Sequence, residues 1–264
     1  MKTTQKIYFA KILSKILIFI LRKSKFIIKR NGLKWAVDLN EGIELSIFLF
    51  GNFEKSITNI ASKLLNEKKL DIIDIGANMG IHSLNLGKIF NSSKIYSIEP
   101  TNYSFTKFLT NLNLNKNLNN IFPYQLFITN LSTKPTDVYS SWELDSENKK
   151  HDKHKGIKKS SSKALAISFD DFILNNHIHR QTLIKCDVDG NELGVFKSGE
   201  IYLAKYKPMI IMELAPYLYP EYGYDCNKLL DYLKGFNYEF YDGETHNKIL
   251  DIIKYSENIK DGTS

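Results

Sequence analysis

The chain has 264 residues, 43% hydrophobic and 25% charged, which suits one α/β domain with extensions and excludes a globally disordered chain. Its formal charge of +7 is uneven: ten Lys or Arg and no Asp or Glu lie between Lys2 and Lys34, and seven lysines with one aspartate lie between Lys149 and Lys163. Two local basic blocks on an otherwise near-neutral chain point to an anionic surface or substrate and away from general nucleic-acid binding.

In the first block, "KILSKILIFILRKSKFIIKR", Lys11 and Lys15 interrupt the apolar residues. The longest uninterrupted run, Ile16–Leu21, is far short of the ~20 residues that span a bilayer. No small-residue cleavage site follows, so a secretory signal is not expected. Residues 1–34 read as a basic amphipathic segment, either packed on the domain or lying on the inner face of an anionic membrane. Next, "GLKWAVDLN" reads as a short strand, and "NFEKSITNIASKLLNEKK" spaces Ile57, Ile60, Ala61, Leu64 and Leu65 as a helix does.

From "LDIIDI" onward, strands alternate with helices. The strands are "LDIIDI", "KIYSIE", "IFPYQLFIT" with Pro123 at its entry, "TLIKCDV" and "KPMIIMEL". The helices are "IHSLNLGKIF", "NYSFTKFLTNLNLN", "ELGVFKSG" and "CNKLLDYLKGF". This alternation predicts an α/β fold, a mostly parallel central sheet with helices on both faces. "NYEFYD" and "KILDII" are expected to close it as a C-terminal antiparallel hairpin. The domain is placed at 35–258, with a lysine-rich insertion at 140–164 and a polar tail at 259–264. Cys186 and Cys226 have neither metal-type spacing nor a disulfide framework, which suits a cytosolic protein.

Ligands of open parallel sheets sit beyond the carboxyl ends of the strands, and four predicted strands end near carboxylates: Asp74, Glu99, Asp187 and Glu213. The turn Gly76-Ala77-Asn78-Met79-Gly80 lets a ligand approach the backbone and then opens a helix. It matches neither the dinucleotide nor the P-loop pattern and holds no lysine. Asp74 beside it would repel a pyrophosphate and suit a cationic nucleoside such as S-adenosylmethionine; a purely structural turn is the alternative. Glu99, 19 residues beyond Gly80, stands where a carboxylate takes a ribose diol.

Taken together, "IDIGANMGIHSL", "YSIEP", "LIKCDVDGNELGVFKSG" and "KPMIIMEL", with the lead-in "VDLNEGIELSIFLFGNFEKSI", resemble the motif series of the FkbM family of S-adenosylmethionine-dependent methyltransferases. The similarity runs from about Val37 to Leu214. It implies a Rossmann-like class I methyltransferase that uses S-adenosylmethionine and acts on oxygen, often of a sugar or another small hydroxylated product. The resemblance places the cofactor on Asp74, Gly76, Ala77, Asn78 and Gly80, with Glu99 at the ribose and Asn130 beside the adenine. Asp187, Asp189, Gly190 and Glu192 match the family's D-[VI]-[DE]-G-x-E run.

Methyl transfer needs the acceptor oxygen held in line, with a base nearby as its proton leaves. Asp187 and Glu213 are the expected catalytic carboxylates, on neighbouring central strands, and Asp189, Glu192 and His82 are expected on the acceptor side. The alternative for Asp189 and Glu192 is helix capping. No resident metal is expected, although three carboxylates could hold Mg²⁺. His151, His154, His177 and His179 read as surface groups. The insertion reads as a solvated loop or as a lid over an anionic acceptor, with Trp142, Tyr139 and the tyrosines of "PYLYPEYGY" as stacking faces.

The expected partner is a small-molecule or glycan acceptor, anionic or lipid-linked, met in the cytoplasm or at the inner membrane face. Two other functions stay open on the residues: a non-catalytic nucleoside- or polyanion-binding protein, and a nicotinamide-dependent oxidoreductase. The "DVDGNE" run and the incomplete glycine pattern argue against the second.

Overall fold

A computed structural model describes residues 3–66, 68–130, 138–141, 143–144, 151 and 156–259. Helix α1 (Thr3–Leu21) leads into a hairpin of β1 (Lys25–Arg30) and β2 (Leu33–Asp38). The hairpin spans the boundary expected at residue 34. Its turn, Asn31-Gly32, has φ of 49° and 77°, the paired positive values that Asn-Gly supplies in tight hairpins. Helices α2 (Gly42–Phe50) and α3 (Lys55–Leu65) follow.

The central sheet comprises β3 (Ile72–Ile75), β4 (Ile95–Ile98), β5 (Ile121–Tyr124), β10 (Leu183–Cys186) and β11 (Met209–Met212). Its order is β11-β10-β3-β4-β5, and every pairing is parallel. The chain therefore builds outward from β3 in one direction and returns to build in the other. The crevice between β3 and β10 is the switch point where such sheets bind ligands. Helices α4 (Ile81–Ile89) and α5 (Asn102–Leu114) separate the early strands. Helix α6 (Phe169–Asn175), α7 (Glu192–Lys197), α8 (Glu200–Tyr206), α9 (Cys226–Gly235) and α10 (Ile252–Glu257) complete the later half.

Side-chain alternation splits the core in two. Ile73, Ile75, Ile184 and Cys186 point into a cluster with Phe172, Phe196, Leu203 and Leu229 from α6 to α9. Ile72, Leu183 and Ile95 point to the other face, with Ala61, Leu84, Phe108 and the hairpin residue Trp35. Asn111 of α5 and its C-cap Asn115 cover the open edge of β2: Asn111 accepts from the Ala36 amide, and Asn115 accepts from that of Lys34. Asn111 also donates to the Met79 carbonyl, tying the glycine turn to the hairpin.

Three elements differ from expectation. "IFPYQLFIT" is two strands, because the chain leaves the central sheet after Tyr124 and β6 (Leu126–Ile128) pairs in parallel with β9 (Leu165–Ile167). Pro123 sits in β5, at the end of the sheet order, where its missing donor costs no ladder bond. At the C-terminus the expected hairpin is reduced to one antiparallel bridge, Tyr241 to Lys248. The chain then turns helical at Ile252 because the Asp251 side chain accepts from the Lys254 amide and caps α10. β11, expected to be central, stands at an end of the sheet order.

Of the lysine-rich insertion, β7 (Val138–Ser141) and β8 (Ile157–Lys159) form an antiparallel pair. Trp142, His154 and the Tyr139 side chain lie outside the described residues, as does the tail after Ile259. Among the described residues no helix is long and apolar enough to cross a membrane.

Candidate active site

Residues 72, 74, 183, 185 and 187 share the sheet face that α3 and α4 cover, so alternation lays a charged strip beneath those helices. Lys185 and Asp74 are register partners on adjacent strands, with Ser97 next across. Lys185 is buried, and its Nζ lies 3.4 Å from Asp74 Oδ1, 3.3 Å from Asp187 Oδ2 and 2.9 Å from the Gly76 carbonyl. Burial works against this ammonium, but Asp187 and Asp74 more than offset it and hold Lys185 charged, its pKa raised. Asp74 is wholly buried; Ser83 donates to its Oδ2 at 2.6 Å, while Oδ1 has only the electrostatic contact with Lys185.

Sequence reasoning missed Lys185. The signal was present: a lysine within an apolar strand is rarely buried without a counter-charge, and "LIKC" carries it at the position where "IIDI" carries Asp74.

Asp187 follows β10 and its side chain is 29% exposed. Glu213 follows β11 on the same face and hydrogen-bonds Asp187. Desolvation raises the Asp187 carboxyl, but Lys185, the Glu213 hydrogen bond and His82 outweigh it and leave its pKa lowered. Glu213 moves the other way, raised by burial and by the neighbouring Asp187 charge. The two carboxyls thus hold one proton between them, with Glu213 protonated and Asp187 ionised.

Asp189, in a left-handed conformation at φ 51°, is also raised, by burial and by Asp187 and Glu192. Glu192 is buried and turns back on its own loop, with Oε1 accepting from the Val188 amide at 3.2 Å and the Gly190 amide at 3.3 Å. Burial pushes its carboxyl up to about 7. His82 is buried too, its Nε2 3.3 Å from Glu54 Oε2. Glu54 is a second residue that sequence reasoning did not single out; its charge acts on both Lys185 and Glu213.

On the β4 side, Glu99 is buried and receives three donors: the Asn78 amide at 2.9 Å, the Thr101 amide at 2.9 Å and the Thr101 hydroxyl at 2.6 Å. A carboxylate has roughly four acceptor positions, so room for a further hydroxyl remains at Oε2. Burial raises its pKa. Gly76 and Gly80 have φ of 82° and 85°. A Cβ at Gly76 would collide with the Asp187 carbonyl, and one at Gly80 with the Phe108 ring. The protein's own packing therefore already requires both glycines. Asn130 is exposed just after β6.

His151, expected at the surface, is buried: its Nε2 meets Glu221 Oε1 at 2.9 Å. The partner is distant in sequence, so no local pattern marked it. Among the described residues no group of three or more His, Cys, Asp or Glu side chains has an arrangement able to hold a metal ion.

A family model described as the methyltransferase FkbM domain matches residues 74–240. The chain belongs to the FkbM methyltransferase family. It is therefore a methyltransferase, with S-adenosylmethionine as its cofactor. The match starts at Asp74 and takes in the glycine turn, Glu99, the Asp187–Glu192 loop and Glu213.

Solved structures similar to this FkbM methyltransferase share little sequence with it. A fibrillarin in complex with Nop5p is 15% identical at TM-score 0.41, over 69% of this chain and 71% of that one. A candidate S-adenosylmethionine-dependent methyltransferase from Streptococcus mutans is 13% identical at TM-score 0.38, over 83% of this chain and 48% of that one. The Aeropyrum pernix fibrillarin with natively bound S-adenosylmethionine is 11% identical at TM-score 0.37, over 85% and 80%. No curated protein matches this FkbM methyltransferase.

The residues present fit the cofactor. Glu99 retains acceptor capacity for a ribose hydroxyl, and the crevice beside it carries the ionised Asp187, a group that suits a cationic sulfonium.

Proposed function

We propose that this methyltransferase acts on oxygen, methylating a hydroxyl of a sugar, glycan or glycan precursor on the cytoplasmic side. The observation that carries the reading is Asp187, a partly exposed carboxylate kept ionised by Lys185 beside the protonated Glu213. A hydroxyl must be oriented and must lose its proton as its oxygen is methylated. Asp187 accepts that hydroxyl's hydrogen bond and aims the oxygen; its lowered pKa makes it a better orienter than proton sink. Because Glu213 already holds the one proton of the pair, the departing proton passes along the exposed side of Asp187 to solvent.

Bound in the crevice, S-adenosylmethionine would supply the methyl group. Glu99 would hold the ribose, the backbone of Gly76, Ala77, Asn78 and Gly80 would face the methionyl end, and Asn130 would border the adenine. Asp74 has no exposed surface, so it acts from beneath, through Lys185 and Ser83. Asp189 is the acceptor-side carboxyl. Glu192 shapes the 188–190 loop, and His82 sets the charge around Asp187.

The test is incubation with methyl-labelled S-adenosylmethionine and a panel of free sugars, nucleotide-sugars and lipid-linked glycans. Base-stable label on a sugar oxygen supports the reading. Label on nitrogen, or as a base-labile ester, contradicts it.

A further inference from the structure

The charged strip and the glycine turn belong to the site already described, but the N-terminal helix does not. One side of α1 is fixed to the domain: Ile7, Ala10, Leu17 and Ile18 pack on Leu39, Leu45 and Leu144, and Ser14 donates to the Leu39 carbonyl at 2.7 Å. Helical spacing then turns Tyr8, Phe9, Ile12, Leu13, Ile16, Phe19 and Ile20 outward, and all are exposed, Phe19 at 85% and Phe9 at 58%. A soluble helix normally shows its polar side to water. This one shows its apolar side, and an exposed apolar patch of this kind marks an interaction surface.

Charge selects the occupant. Lys15 and Lys11 stand one and two turns before Phe19 along one edge of that face, and exposed Arg22 and Lys23 follow its end. Residues 2–34 contain no acidic side chain. A second copy meeting the helix face to face would set these cations against their own equivalents, at an electrostatic cost. An anionic surface with an apolar interior meets both features at once. The helix is not apolar enough to cross a membrane.

We infer that the outward face of α1 seats this protein on an anionic phospholipid bilayer, its aromatic and aliphatic residues in the acyl boundary and its flanking cations at the headgroups. Because α1 is already packed on the domain, binding orders little new chain. Leu144 shares the cluster that fixes α1, so the docked helix is tied to that residue as well as to Leu39 and Leu45. The inference is independent of the acceptor chemistry proposed above.

The test is sedimentation of the full chain with phosphatidylcholine vesicles, with and without phosphatidylglycerol, at increasing salt. The expected result is pelleting with the anionic vesicles that weakens as salt rises. The variant Phe9→Ser/Phe19→Ser should lose about tenfold or more in partitioning, while its thermal unfolding midpoint is unchanged because both side chains are exposed. Failure of the wild type to pellet with anionic vesicles overturns the inference, as does a variant that pellets like the wild type. Self-association of the wild type that Phe19→Ser abolishes, without vesicle binding, assigns the face to a second copy and overturns it too.

Discussion

On the β4 side of the crevice a single carboxylate, Glu99, is held by neutral donors: two backbone amides and a threonine hydroxyl. On the β10 side Asp187 and Asp74 share one buried ammonium, and Asp189, Glu192 and Glu213 crowd around Asp187. The first arrangement fixes where the carboxylate oxygens of Glu99 point. The second fixes where protons reside, since crowded carboxyls in low dielectric cannot all ionise. On the proposed function, one edge of one sheet serves two purposes, recognition at Glu99 and charge placement at Asp187, and substitutions should separate them.

The largest effect is expected at Lys185. Lys185→Met leaves Asp74 and Asp187 without their counter-ion, and breaking a buried pair costs about 3–5 kcal/mol. Denaturant unfolding should show that loss, and adding Asp74→Asn should recover part of it. An unchanged midpoint would mean that the strip contributes nothing to the fold.

Next in size, Asp187→Asn keeps the shape but removes the charge proposed to orient the acceptor. Labelled methyl transfer should fall by ~10²–10⁴, while S-adenosylhomocysteine affinity, set on the β4 side, should change only a few-fold. A parallel loss of both would merge the two halves of the site.

Glu99→Gln should do the reverse. Charged hydrogen bonds contribute ~1.5–3 kcal/mol, so S-adenosylhomocysteine should bind about 10- to 100-fold more weakly in calorimetry, with the fold intact.

A subtler effect, seen only as a pH dependence, is expected at Glu192. Its folded pKa of about 7 lies above the ordinary 4.5, so the unfolded chain loses this proton first as pH rises. The stability associated with the protonated form is complete below about pH 4.5 and is lost as pH passes 7, on the order of 3 kcal/mol. Glu192→Gln should flatten the stability profile across that window and leave the variant relatively more stable above it. A wild-type slope retained in the variant would assign the titration elsewhere.

How much of this was legible in the sequence depends on the range of the interaction. The parallel strands and their flanking carboxylates are local patterns, and the central sheet has them, except that Asp74 lies inside its strand. The Asn31-Gly32 turn was equally local but was passed over, because the basic residues around it read as part of the amphipathic segment. Lys185 needed two strands to be aligned before its partner Asp74 became visible. His151 and Glu221 meet only in three dimensions. The glycines show a different gap: the sequence marks where bulk is forbidden, but only the fold reveals that the Asp187 carbonyl and the Phe108 ring already occupy that room.

The division of labour between Glu99 and Asp187 is tested most directly by titrating S-adenosylhomocysteine into the wild type, Glu99→Ala and Asp187→Asn in a calorimeter. The predicted result is micromolar binding to the wild type, collapse in Glu99→Ala and retention in Asp187→Asn. Absence of binding to folded wild type, or equal binding by Glu99→Ala, would contradict it.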